Sequence, residues 1–102
     1  MLLYLQIKKF LGNYIHYLHI AAINKNSKIL SLLLQKSQID INSVNEKGET
    51  PLIEACKSKC NDNINLLFKN DSLDFLHCNK DGKDALDIIL NFIVNQFHPS
   101  ME

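Results

Sequence analysis

Apolar residues recur along this chain in short bursts at helical spacing, separated by polar, turn-forming runs. Leu3, Ile7, Phe10 and Leu11 fall at i, i+4, i+7 and i+8, with Gln6, Lys8 and Lys9 off that face. This predicts an amphipathic helix over 1–11, broken by Gly12 and Asn13. A short helix over His16 to Ile23 follows, with Leu18, Ala21 and Ala22 inward. After a turn at Asn24 to Asn26, Ser27 is the expected N-cap of a second helix, with Ile29, Leu30, Leu33 and Leu34 as its apolar stripe. The pattern then starts again. Asn45-Glu46-Lys47-Gly48 reads as a turn whose glycine permits positive φ, Thr50 as an N-cap, and Pro51 as the first helical residue, where a missing N–H costs nothing. Leu52, Ala55 and Cys56 should point inward, and Glu54, Lys57 and Ser58 toward water. The next helix is weak on paper. Asn61, Asp62, Asn63 and Asn65 are poor helix formers, and Asn63 takes the place of Ile29, so a short or register-shifted helix is expected. A third turn, Asn79-Lys80-Asp81-Gly82, leads into Lys83 to Phe97, which is apolar nearly all round and therefore predicts burial. His98-Pro99 marks its stop.

The bursts keep a fixed step. Leu18, Leu52 and Leu86 are each 34 residues apart, and so are Gly48 and Gly82, Asp40 and Asp74, and the apolar triplets starting at Leu32 and Leu66. A period in the range of about 20–50 residues points to stacked supersecondary units. Around these landmarks the middle copy reads Gly48-Glu49-Thr50-Pro51-Leu52-Ile53-Glu54-Ala55-Cys56. The sequence resembles an ankyrin repeat, a turn plus two helices with the signature T-P-L-H-x-A. The first copy keeps Leu18-His19-Ile20-Ala21-Ala22 but has His16-Tyr17 for Thr-Pro, and the third keeps Gly82 and Leu86 and loses the rest. Ile53 stands where the family has histidine. One extra residue in the loop after Leu34, which also lacks the usual glycine, accounts for a step of 34 rather than the family's usual 33 or so.

The resemblance implies an all-α solenoid of helix–turn–helix units joined by β-turn fingers. It divides the chain into 1–12, a capping helix or the remnant of a preceding repeat; 13–45 and 46–79, two repeats; and 80–102, a partial third repeat with an apolar helix. Leu18, His19, Ala21, Ala22, Gly48, Thr50, Pro51, Leu52, Ala55, Gly82 and Leu86 are its structural motif positions, with His19 at the motif histidine that bonds between repeats.

Composition narrows the function. Eleven basic and eleven acidic residues cancel, every basic residue is a lysine, and no net field attracts nucleic acid or an anionic membrane. No apolar run approaches the ~20 residues of a membrane span. The start lacks the basic, then apolar, order of a signal peptide, and three cysteines do not make a disulfide scaffold, so an intracellular, cytoplasmic protein is expected.

Candidate chemistry is thin. Cys56 and Cys60 lie four residues apart, with His77-Cys78 later, and zinc accepts such ligands, which leaves a Cys/His metal-binding module as a remote alternative. Adjacent ligands are unusual in zinc motifs, and a buried free cysteine behaves as a small hydrophobe. His16 and His19 share a helix face without an acidic neighbour. There is no glycine-rich phosphate loop, no Gly-x-Ser-x-Gly and no His-Glu-x-x-His, so no catalytic residue, cofactor or metal is assigned.

The family resemblance implies instead a non-catalytic module that binds a protein partner through turn tips and first-helix surfaces. Carried over by position, the tip candidates are Glu46, Lys47, Glu49, Lys80, Asp81 and Lys83, and the helix candidates Ile23, Asn24, Lys57 and Ser58. The first turn adds Tyr14, an aromatic of the kind that anchors interfaces. The competing expectation is a segment of a larger array whose main contact is further repeats of its own chain. The apolar face over Ile88 to Phe97 is also a candidate for self-association.

Overall fold

The computed structural model describes residues 17–36 and 39–97, with the backbone alone at Phe97. The helix over 1–11, its break at Gly12 and Asn13, and Tyr14 lie outside the described residues. Among the described residues, five helices follow in order: α1 (Tyr17–Ala22), α2 (Ser27–Leu34), α3 (Pro51–Lys57), α4 (Asn61–Phe68) and α5 (Ala85–Phe97). No strand occurs among the described residues. The first helices of successive units form one row, α1 on α3 and α3 on α5, and α2 lies on α4 in a second row. Within this span, α5 has no second helix of its own.

Each helix start has a local cause. Thr50 Oγ1 accepts from the Ile53 N–H at 3.2 Å, and Pro51 opens α3. The cap of α2 is Asn26 rather than the expected Ser27. Asn26 is extended and its side chain accepts from the Lys28 N–H at 3.1 Å, leaving Ser27 as the first helical residue. At α5 the Thr-Pro pair is gone, but a reciprocal box replaces it: Asp84 Oδ1 accepts from the Asp87 N–H at 2.8 Å, and Asp87 Oδ2 from the Asp84 N–H at 3.0 Å. α5 therefore begins two residues later than the Lys83 start that its sequence suggests.

α3 ends on a Schellman motif. The Lys59 N–H donates to Cys56 O and the Cys60 N–H to Ala55 O, which requires Lys59 at φ +58 without the help of glycine. Its ammonium lies 4.0 Å from the centroid of the Phe92 ring on α5, a cation–π contact that ties this turn to the third unit.

The core runs along the seam between the two rows. Leu18, Ala21, Ala22, Leu30, Ile41, Leu52, Ile53, Ala55, Cys56, Leu67 and Ala85 are buried. Ile53, at the family's histidine position, packs there as a plain hydrophobe. Ile29 does not; it is 44% exposed, although its spacing put it on the apolar stripe of α2. The largest departure from sequence expectation is α4. It is neither short nor shifted, and spans eight residues at the same 34-residue step from α2. Asn63 is the reason: it is 1% exposed, and its amide nitrogen donates to Ala22 O at 2.7 Å and Asn24 O at 2.8 Å, with Ala21 O at 3.4 Å. The amide thus satisfies carbonyls left open at the C-terminus of α1, which has no glycine cap.

α5 also differs. Leu86 was expected to sit as Leu52 does, yet it is 58% exposed where Leu52 is 1%. The helix is not buried as a whole, because its inner face (Ala85, Ile88, Ile89) meets the core while Leu86, Leu90, Ile93 and Val94 are exposed. A polar stripe of Asp87, Asn91 and Asn95 completes the surface at i, i+4 and i+8.

Candidate functional site

The two turn fingers are built from the same parts. Asn45 and Asn79 each accept, through Oδ1, from two backbone N–H groups ahead of them: Lys47 and Glu49 in one finger, Asp81 and Lys83 in the other. The backbone closes the loop, Asn45 N–H to Glu49 O and Asn79 N–H to Lys83 O, at 3.0 and 2.9 Å. Gly48 and Gly82 sit at φ +75. At Gly48 there is a second constraint, since a Cβ would lie 3.2 Å from Lys80 N. The fingers pack at that point, and the Lys80 N–H donates to Lys47 O. Two histidines bolt the fingers to their neighbours. His19 Nε2 donates to Glu49 O at 2.6 Å, and His77 Nε2 to Gly48 O at 2.9 Å, which fixes the proton on Nε2 in both rings.

Glu49 does not project into solvent as a tip residue. Its side chain is 3% exposed and forms an ion pair with Lys57 Nζ at 2.8 Å, while Asn79 Nδ2 of the next finger donates to the same oxygen at 3.2 Å. Through its carbonyl and carboxylate, Glu49 touches all three units. Burial alone would raise its pKa, but hydrogen bonds from Glu54, Lys57 and Asn79, with the Lys57 charge, outweigh it and hold the carboxyl at about 2. Glu54, expected to face water, is half-buried beside it. The hydrogen bond to Glu49, then burial, push Glu54 up to about 7. A protonated Glu54 supplies a donor to the Glu49 carboxylate. The two carboxyls share one proton. Lys57 is raised by its hydrogen bond to Glu49.

The remaining candidates among the described residues lie at the surface. Glu46, Lys47, Lys80, Asp81 and Lys83 are exposed on the fingers, Ile23 and Asn24 in the turn after α1, and Lys57 and Ser58 at the end of α3. The structure brings Lys57 to the finger base through Glu49 and sets the Lys47 and Lys80 backbones side by side. Asn63, Asn79, His77 and Glu54, which organise this surface from beneath, were not singled out for it from sequence. Only Asn79 had a usable signal, its 34-residue step from Asn45.

His19 and His77 are engaged in the fingers, and the thiols are not grouped with them. Cys56 is buried, which pushes its thiol up to about 11. Cys60 Sγ lies 3.6 Å from Ile23 O, Cys78 is exposed, and all three cysteines are free thiols. Among the described residues, no three His, Cys, Asp or Glu side chains are grouped to hold a metal ion. No helix of the described residues is long and apolar enough to cross a membrane.

Comparison with known proteins agrees with this architecture. The family model of ankyrin repeats, in three copies, matches residues 5–79. An ankyrin repeat protein of Acanthamoeba polyphaga mimivirus is 33% identical over 85 residues, 83% of this chain, and the chain spans 8% of that relative's length. A solved structure of a predatory endopeptidase from Bdellovibrio bacteriovorus in complex with an immunity protein contains a chain of the same fold. It matches at a TM-score of 0.67 with 23% identity, over 88% of this chain and 45% of that one.

Proposed function

The chain belongs to the ankyrin repeat family, and from that premise we propose that it is a non-catalytic module that binds a protein partner through its turn tips and first-helix ends. Ankyrin repeats are in general protein-interaction scaffolds and generally non-catalytic, and the all-α solenoid described above is their fold. The observation that carries the proposal for this chain is the contrast inside the fingers. Glu46, Lys47, Lys80, Asp81 and Lys83 are exposed, while the backbone beneath them is held by bonds to the Asn45 and Asn79 side chains, by His19 and His77, and by backbone bonds within and between the fingers. Side chains on a backbone already fixed lose less freedom on binding. The mixed charge and absence of aromatics on these tips favour a polar partner surface of mixed charge and modest affinity. Ile23, Asn24, Lys57 and Ser58 extend this surface along the helix ends, and Tyr14 belongs to the same proposal.

On this reading, residues 13–45 and 46–79 are repeats and 80–102 a partial third. Segment 1–12 fits the tail of a preceding repeat, since the family match starts at residue 5. An intracellular, cytoplasmic setting is part of the proposal and is supported by the free thiols.

The test is a partner capture with three baits: the wild-type chain, a tip variant (Lys47, Lys80 and Lys83 to alanine), and a control with Asp62, Asn65 and Lys69 on α4 and its cap replaced. A partner held by wild type and control and lost by the tip variant supports the tips as the binding surface. A partner held equally by all three overturns it.

A further inference from the structure

Glu49 joins the two fingers to the row of first helices, and one proton is part of the joint. Its side chain is 3% exposed, and its Oε2 accepts from Lys57 Nζ on α3 at 2.8 Å and from Asn79 Nδ2 on the second finger at 3.2 Å. The Glu54 carboxyl on α3 is hydrogen-bonded to it as well. Two carboxyl groups in such contact do not both ionise in the ordinary range, because the bond needs a proton and the like charges repel. The bond and burial hold Glu54 up to about 7. Neither neighbouring unit repeats the pair: one step on stand Lys83 and Ile88, and one step back Ile20 replaces Glu54.

Lys57 follows Glu54 by three residues on α3, within reach of both carboxyls. While Glu54 is protonated, the ammonium belongs to Glu49. Once Glu54 is ionised, two carboxylates face one ammonium. Glu54 is half-buried and Lys57 is 44% exposed, so both have a path to water as a pair on one helix; Glu49 has none. A buried carboxylate that loses its cation and faces a like charge is costly, and turning outward, off Asn79, relieves that cost. The other charged groups around the pair are exposed or already engaged. Lys47, Lys80, Asp81 and Lys83 on the fingers and Asp62 on α4 are exposed. Asp84 and Asp87 of α5 bond each other's backbone N–H, and Lys59 lies over Phe92. His19, from α1, and His77 serve the Glu49 and Gly48 carbonyls.

We propose that this carboxyl pair is a pH-sensitive latch between the fingers: while it holds its shared proton, Glu49 grips Asn79 and keeps the Lys47 and Lys80 tips side by side, and loss of that proton releases the second finger at this point. Two links remain in either state, the Lys80 N–H to Lys47 O at 3.2 Å and His77 to Gly48 O at 2.9 Å, so the fingers loosen without separating. The latch is a property of the free chain. Its use, a tip surface that is firmer in mild acid than in mild alkali, rests on the tip-binding proposal above. The test needs no partner, so the two proposals fail separately.

Nuclear magnetic resonance of the full chain, titrated from about pH 5 to about pH 9, tests it. The Glu54 carboxyl carbon should titrate at about 7 while that of Glu49 stays ionised throughout. The Asn79 side-chain amide should shift with the Glu54 midpoint, and the protection of the Lys80 N–H against hydrogen exchange should fall severalfold across it. In Glu54→Gln both steps should vanish with the amide spectrum still that of a folded chain. Histidine titrates in the same range, so the His19 and His77 rings are followed alongside. A Glu54 carboxyl that titrates where glutamate ordinarily does, an Asn79 amide that does not move with it, or a step that persists in Glu54→Gln overturns the proposal. The first two are read on the unmodified chain and stand even where the variant does not fold.

Discussion

Leu52 and Leu86 occupy the same place in successive copies of one motif, each at the second helical residue after a capped turn. Leu52 is 1% exposed and lies in a helix with neighbours on both sides of its row; Leu86 is 58% exposed. The caps are equally well made, by Thr50 in one case and by the Asp84–Asp87 box in the other. Turn geometry is the same to the degree, with both glycines at φ +75. What differs is the company. α3 is flanked by α1 and α5 and backed by α4, whereas α5 meets only α3 among the described first helices. Local sequence sets the helix; the stack sets its energetic worth.

The sharpest way to break this comparison is to truncate both leucines. Leu52→Ala should cost about 2–5 kcal/mol through lost transfer energy and a cavity, enough to unfold a domain of this size. Leu86→Ala should stay within about 0.5 kcal/mol, as for an exposed site. Urea denaturation of the two variants decides it, and equal costs would mean that the α5 face is covered under the conditions of the measurement.

A second pair sharpens it across the other row. Asn63 and Ile29 are equivalent by step, and the polar one is the buried one. Asn63→Ala leaves the Ala22 and Asn24 carbonyls without their donor, at about 1–3 kcal/mol for each buried group left unsatisfied. Ile29→Ala should change stability by no more than about 0.5 kcal/mol. Thermal melts of both variants check this. If Asn63→Leu proves as stable as wild type, those carbonyls are served by water.

The third contrast is in pH dependence. Glu49 and Glu54 form a carboxyl pair in the middle unit, whereas the equivalent positions of the third unit are Lys83 and Ile88. In the folded chain the pair holds one proton between about 2 and about 7. Unfolded, both carboxyls titrate near 4.5. Below 4.5 the unfolded chain binds more protons, so stability rises with pH as Glu49 gains its ionised, bonded form. Above 4.5 the folded chain holds the extra proton, so the stability from Glu54 falls as pH rises through about 7. Glu54→Gln keeps a donor beside the Glu49 carboxylate and removes the like charge. It should abolish the fall between pH 5 and 8, an effect on the order of 1–2 kcal/mol, read as the difference in urea midpoint between variant and wild type. A wild-type midpoint that does not drop over that interval would remove the shared proton.

How far these features were legible in sequence follows the range of the interactions. The 34-residue step, the Thr50-Pro51 cap, the glycine turns and the long final helix could all be read, because each depends on residues within a few positions. Ser27 was mistaken for Asn26 as a cap within that same range, since both are good caps and adjacent. The proposed binding surface was legible only in part. Lys47 and Lys80 are exposed as their turn positions imply, but Glu49, from the same turn, is withdrawn. Its fate depends on Lys57 eight residues on and Asn79 thirty residues on.

By itself, then, the sequence determined a helical repeat, its period, its caps and its turns, through local backbone preference and hydrophobic spacing. Tertiary structure alone decided which of the repeated positions are worth anything. Asn63 became an asset because α1 ends against it with open carbonyls, Glu49 became a junction because three units meet at it, and Leu86 stayed exposed because burial in a stack belongs to the next layer and not to the residue.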